Sequence, residues 1–369
     1  MNRYRIAKFF IFFFFSVLFL SGCRDSAQVK LVKSELNQLQ KLDENTIRTF
    51  ISYENILRPG ASSNVSSEAT QTVQLFFQDF DYRILSSKVA DNTATVTAEI
   101  QNIDTKELAK DLCLELIVRS SSPHAEDSAI LSGDSYFSLL HGFLSHNQYK
   151  SVKTEVHFHL EKTDGQWLIQ GNEVLEDELL GGFISCLNDP YLVTPEEIIA
   201  KVCEMLKAQT PEEWISYLEI KDVFSTYSTL SDKVDLALAS QISKCFSYNI
   251  REVTVAGDKA NALVDITSLD MASVLDEYLD KLLDYASTTE AVRATDTELA
   301  DKTAALLAEC LNTNRKTCTK TVEIHFTNNG TTWEMQLNGD FTDALLGDIK
   351  KAAEAFQSAA VSGESNTPQ

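Results

Sequence analysis

The sequence predicts an α+β chain made of two tandem copies of one unit, each a set of helices with a curved antiparallel sheet. Three observations predict it. Apolar residues recur at i, i+3 and i+4 in some stretches and at every second position in others. Those stretches come in the same order twice. Matched residues also stand 166 positions apart: Phe80-Asp81-Tyr82-Arg83-Ile84 against Phe246-Ser247-Tyr248-Asn249-Ile250, and Trp167 against Trp333.

In chain order, a leader comes first. Arg3, Arg5 and Lys8 precede an apolar run from Phe9 to Leu20 that is broken only by Ser16. As a helix that run rises about 18 Å, short of the ~30 Å hydrocarbon core, so it reads as a signal peptide and not as a membrane span. Leu20-Ser21-Gly22-Cys23 follows. This motif resembles the bacterial lipobox. The resemblance implies cleavage between Gly22 and Cys23 and a diacylglyceryl group on the Cys23 thiol. Residues 1–22 are then the signal, residues 23–27 a lipidated tether, and the mature chain sits on the extracytoplasmic face of the cell membrane. Two acyl chains suffice for stable anchoring, at about 0.8 kcal/mol per buried CH₂.

Copy one covers residues 28–189 and opens with helices. Ile47, Phe50, Ile51 and Leu57 give one stripe; Val73, Phe76, Phe77 and Phe80 give another. A hairpin follows, in which Ala94, Val96, Ala98 and Ile100 alternate with Thr93, Thr95, Thr97 and Glu99, one face buried and one wet. Its turn carries Asp91-Asn92 in copy one and Gly257-Asp258 in copy two. Helical stretches come next at 104–118 and 134–146, matched by 270–286 and 296–311. A second hairpin, 152–162 with 166–172, is matched by 320–327 with 332–339. A short helix ends each copy at Leu179-Leu180-Gly181 or Leu345-Leu346-Gly347.

Copy two covers residues 190–351. Asn188-Asp189-Pro190 is a turn at the boundary, and Thr194-Pro195-Glu196-Glu197 opens a helix with a capping box, repeated at Thr210-Pro211-Glu212-Glu213. Two anchors depart from the common offset. Ile51-Ser52-Tyr53 matches Ile215-Ser216-Tyr217 at 164, and Glu155-Val156-His157-Phe158 matches Glu323-Ile324-His325-Phe326 at 168, which predicts a hairpin two residues longer in copy two. Residues 352–369 read as a tail, disordered from about Ser362. The order of helices, curved antiparallel strands and helical cover resembles the nuclear-transport-factor-2-like (cystatin-like) superfamily. Such domains occur in uncharacterised lipoproteins of Gram-positive bacteria.

With Arg3, Arg5 and Lys8 removed, 29 cations face 54 acids, a formal charge of −25. Such a surface repels nucleic acid and anionic headgroups, so neither is an expected partner. Six cysteines follow Cys23, and six allow fifteen pairings. Five lie on apolar faces of expected helices, where a free thiol buries as a small hydrophobe. Cys310 and Cys318 flank a short polar loop and are the best-placed candidate pair.

No phosphate-binding glycine loop, nucleophile elbow or zinc-protease helix motif is present, and no cofactor is expected. One constellation carries chemistry. Glu155, His157 and His159 occupy alternate positions of a strand and share a face, as a Zn²⁺ set or an acid–base group would. Copy two keeps Glu323 and His325, with Thr327 in place of the second His. The plain alternative is a solvated strand face. Trp167 and Trp333 are expected in the core, and Asp104, Asp270, Asp177 and Asp343 as helix caps. The leading functional reading is a non-catalytic lipoprotein that binds a small ligand or another envelope protein. The alternatives are an enzyme using the Glu155/His157/His159 face, and a structural spacer.

Overall fold

The computed structural model describes residues 25–57, 67–120, 133–219 and 231–364. Gly22 and Cys23 lie outside the described residues. Contacts divide the described residues into two compact units, the first drawn from those up to 109 and within 131–186, the second from those within 110–130 and from 187 onward.

In the first unit the helices α1 (Ala27–Gln40), α2 (Glu44–Phe50), α3 (Tyr53–Ile56) and α4 (Ser67–Phe76) precede the hairpin β1 (Asp81–Ala90) and β2 (Thr93–Ile103). Then come α5 (Thr105–Ser120), whose residues from Lys110 group with the second unit, and α6 (Gly133–His146), β3 (Ser151–Thr163), β4 (Gln166–Ile169), α7 (Glu173–Leu179) and α8 (Phe183–Leu187). The strands form one antiparallel sheet in the order β1-β2-β3-β4. Alternation decides its faces: Val96, Ala98 and Ile100 on β2 and Val156 and Phe158 on β3 are fully buried, while their neighbours meet water. The core closes with Leu36 and Leu39 of α1, Phe76 of α4 and Phe137 of α6, and Phe76 meets Phe183 edge to face at 5.1 Å.

The second unit contains α9 (Pro195–Ala208), α10 (Pro211–Leu218), α11 (Ser231–Cys245), β5 (Ser247–Ala256), β6 (Lys259–Leu269), α12 (Met271–Ala286), α13 (Thr289–Arg293), α14 (Asp296–Thr313), β7 (Thr317–Asn328), β8 (Trp333–Gln336), α15 (Gly339–Leu345) and α16 (Ile349–Glu364). Its sheet runs β5-β6-β7-β8, again antiparallel. The inner face buries Ala262, Val264, Ile266, Ile324 and Phe326.

Details recur 166 residues apart. Both sheets carry a bulge in the first strand, after Ile84 and after Ile250. Both first turns hold a positive φ at the same place, Asp91 at 51° and Gly257 at 64°. The Asp104 amide donates to the Lys150 carbonyl, as Asp270 does to Lys316. The buried Asn102 side chain donates to the Leu179 carbonyl, and Ser268 to the Leu345 carbonyl. Tyr82 Oη donates to a carbonyl of α1, and Tyr248 Oη to one of α9.

The capping boxes form at Thr194, Thr210 and Thr295, each Thr side chain accepting from the amide three residues on. Thr194→Ala is expected to remove about 1 kcal/mol from the second unit, read as a lower urea midpoint with an unchanged slope.

Three expectations need correction. Residues 352–364 are not a tail: α16 runs through Glu364, because Ile349, Ala352, Ala353 and Phe356 form an i, i+3, i+4, i+7 stripe. Phe356 stacks on Tyr278 of α12 at 6.1 Å. Trp333 is core, but Trp167 is half exposed on the edge strand β4, with Lys162 Nζ 5.9 Å over its ring. Tyr191 covers Trp333 at 5.9 Å. The Cys310–Cys318 pair is not bridged. Cys310 is buried in α14, whereas the Cys318 thiol donates to the Leu269 carbonyl across the sheet.

Among the described residues, no helix is long and apolar enough to cross a membrane.

Candidate functional site

The face holding Glu155, His157 and His159 is the outer, exposed face of the first sheet. The two histidines there answer to different neighbours. The Glu178 carboxylate accepts from the His157 amide at 3.0 Å and lies 3.8 Å from His157 Nδ1. His159 Nδ1 lies 3.3 Å from Thr95 Oγ1 on the paired strand. Among the described residues no three His, Cys, Asp or Glu side chains converge as a metal set.

The strand register also corrects the sequence match between the two hairpins. Thr97 pairs with His157 and Thr95 with His159; the corresponding Leu263 and Asn261 pair with Glu323 and His325. The offset is therefore 166 through this hairpin too. Glu323 stands where His157 stands, and His325 where His159 stands. The shared Glu-x-His-Phe string is a two-residue coincidence, and the two hairpins have one length. His325 Nδ1 lies 2.8 Å from Asn261 Oδ1 on a wetted face.

A concave site exists elsewhere in the first unit. It is an open cavity of about 560 Å³ between the α2–α3 junction and the start of α7. Sequence creates the junction: Ile51 is buried and extended, so the helix stops at Phe50 and restarts after Ser52. That break leaves the Ser52 amide without a helical partner. Glu176 of α7 fills the need. Its Oε1 accepts from the Ser52 amide at 2.6 Å and its Oε2 from Asn55 Nδ2 at 2.7 Å. Glu176 is 5% exposed. Burial pushes its carboxyl above the usual range, against the two hydrogen bonds, and Glu173 and Asp177 push the same way.

Arg48 and Tyr53 complete the wall. The Arg48 guanidinium donates to Glu44 and Thr70 and lies 4.9 Å over the Tyr53 ring. Tyr53 is itself buried, and its hydroxyl has no hydrogen-bond partner among the described residues. Glu54 and Glu173 line the same cavity.

The second unit has a cavity of about 590 Å³ lined by Met205, Gln209, Ser216 and Tyr217. Ser216-Tyr217 is the sequence match of Ser52-Tyr53, here within the unbroken helix α10. This cavity has no buried carboxylate. Burial pushes the Tyr217 hydroxyl up to about 12. It does the same to the Cys203 thiol, also to about 12, which leaves that sulfur a poor nucleophile.

The expected caps are in place. Asp104 accepts from the Glu107 amide and Asp270 from the Ser273 amide. Asp177 and Asp343 instead serve the turn that follows them. Asp177 accepts from the Ser185 amide, and the buried Asp343 from the Lys350 amide and from Lys320 Nζ, which also reaches Asp348 at 2.7 Å. Neither Glu176 nor Lys320 stands out in the sequence, because their partners lie 23 to 124 residues away.

No family model matches the chain, and no curated protein does. Among solved structures it is similar to one described as a "putative lipoprotein (ycdA)" from Bacillus subtilis subsp. subtilis str. 168. Identity is 14%, with 73% of this chain and 94% of that chain covered, at a TM-score of 0.26. A likeness at that level decides nothing about function.

Proposed function

We propose that this chain is a lipid-anchored extracytoplasmic protein, held by Cys23, that binds a small ligand and performs no catalysis. Its two units are tandem copies, residues 28–189 and 190–351. The observation that carries the binding role is the cavity of the first unit, where open volume meets a buried ionisable side chain. The leader supports the location: charge, apolar length, small residues and the Cys agree. The recurrence of bulge, turn and backbone bonds at one offset supports the duplication. The exposed, divergent Glu155/His157/His159 face gives the catalytic reading no support.

Anchoring is tested by Cys23→Ala in the host, with radiolabelled palmitate. The variant is expected to lose the label, retain its leader and leave the wild-type pattern of membrane fractionation. Unaltered labelling and processing would contradict the anchor.

A further inference from the structure

We infer that the cavity of the first unit takes a small organic cation, an amine, held by the carboxylates of Glu176, Glu173 and Glu54. The inference rests on the binding role proposed above and adds the chemistry of the ligand.

Charge accounting points there. Glu176 is a buried carboxylate whose described partners, Ser52 and Asn55, are neutral donors. No cation among the described residues pairs with it. A buried charge is normally paired, and an unpaired one is costly. The cavity wall holds one cation, Arg48, and that guanidinium is already engaged by Glu44, Thr70 and the Tyr53 ring. Glu173 and Glu54 add two carboxylates to the same wall. A ligand entering this space therefore meets acids without free counter-charge. An ammonium supplies it and keeps the hydrogen bonds of Glu176 in place. The volume, about 560 Å³, lies within the range of small-molecule sites.

The test is calorimetric titration of the mature chain carrying Cys23→Ala with 1,5-diaminopentane and, separately, with glutarate. The two have the same carbon length and opposite charge. The diamine is expected to bind saturably and glutarate not to bind. Glu176→Gln should weaken diamine binding roughly tenfold or more, and the exposed Glu173→Gln about threefold. If Glu176→Gln fails to fold, Glu173→Gln decides. Glu155→Gln, on the outer sheet face, should change nothing. Absent diamine binding, or unchanged affinity in Glu173→Gln and in a folded Glu176→Gln, overturns the assignment. Glutarate binding that Arg48→Gln abolishes overturns the charge class and leaves the binding role standing. Silence from both ligands, with no small molecule on the protein from its host, overturns both.

Discussion

Gly347→Ala is expected to destabilise the second unit by about 3 kcal/mol or more, among the largest effects of any single methyl added to this chain. Gly347 holds φ +76°, a left-handed conformation that costs an L side chain about 1–2 kcal/mol. The added Cβ would also lie 2.2 Å from the Leu269 carbonyl oxygen and 3.1 Å from the Met271 amide nitrogen. Both obstacles are backbone, at the junction of β6 and α12, so no rotamer relieves them. Gly181, at the same place in the first unit, has φ +65° and meets only the Thr105 side chain, at 3.1 Å. Gly181→Ala should therefore cost about 1–2 kcal/mol, mostly backbone strain. Urea unfolding followed by tryptophan fluorescence separates the units. Trp214 and Trp333 report the second unit and Trp167 the first. Equal costs for the two substitutions would show that the glycine contacts are not as described.

Lys320→Met is expected to cost about 2–3 kcal/mol in the same unit. Asp343 is 2% exposed, and Lys320 Nζ is its cation. Removing one member of a buried pair leaves the other charge stranded, commonly at about 3–5 kcal/mol; the partial exposure of Lys320 reduces that figure. The pair also predicts a pH response. The Lys320 ammonium and the Lys350 amide outweigh burial and hold the Asp343 carboxyl below its ordinary value of 3.8. A depressed carboxyl contributes stability that is present above its unfolded pKa and lost as pH falls through its folded one. The second unit should therefore lose this contribution below about pH 4. Lys320 is raised above 10.5, so its share persists through neutral pH and fades only in strong base. In Lys320→Met the acid-side loss should shrink. A double variant with Asp343→Asn should recover part of the cost, since the stranded charge is gone.

Local patterns made much of the fold legible. The alternation of Ala94, Val96, Ala98 and Ile100 identified a half-buried strand because only one face of this sheet is covered. The Thr-Pro-Glu-Glu strings announced α9 and α10 because capping is decided within four residues. Leu-Leu-Gly, repeated at 166, marked the turns that the two glycines make. The misreadings share a different cause. The Glu-x-His-Phe string matched at 168 because neighbouring positions on one strand face carry similar residues, and only hydrogen-bond register separates them. Trp167 and Trp333 are identical in local sequence role, yet Trp333 is buried and meets Tyr191, far along the chain, while Trp167 stays half exposed. The cavity was invisible for the same reason: Glu176 meets Ser52 and Asn55 only after folding.

Binding is the central claim, and native mass spectrometry tests it most directly. The wild-type lipoprotein, extracted in detergent from its own host, should carry a small molecule that is displaced by 1,5-diaminopentane and absent from the Glu176→Gln variant. A clean apo mass at every charge state, unchanged by that substitution, would contradict the account.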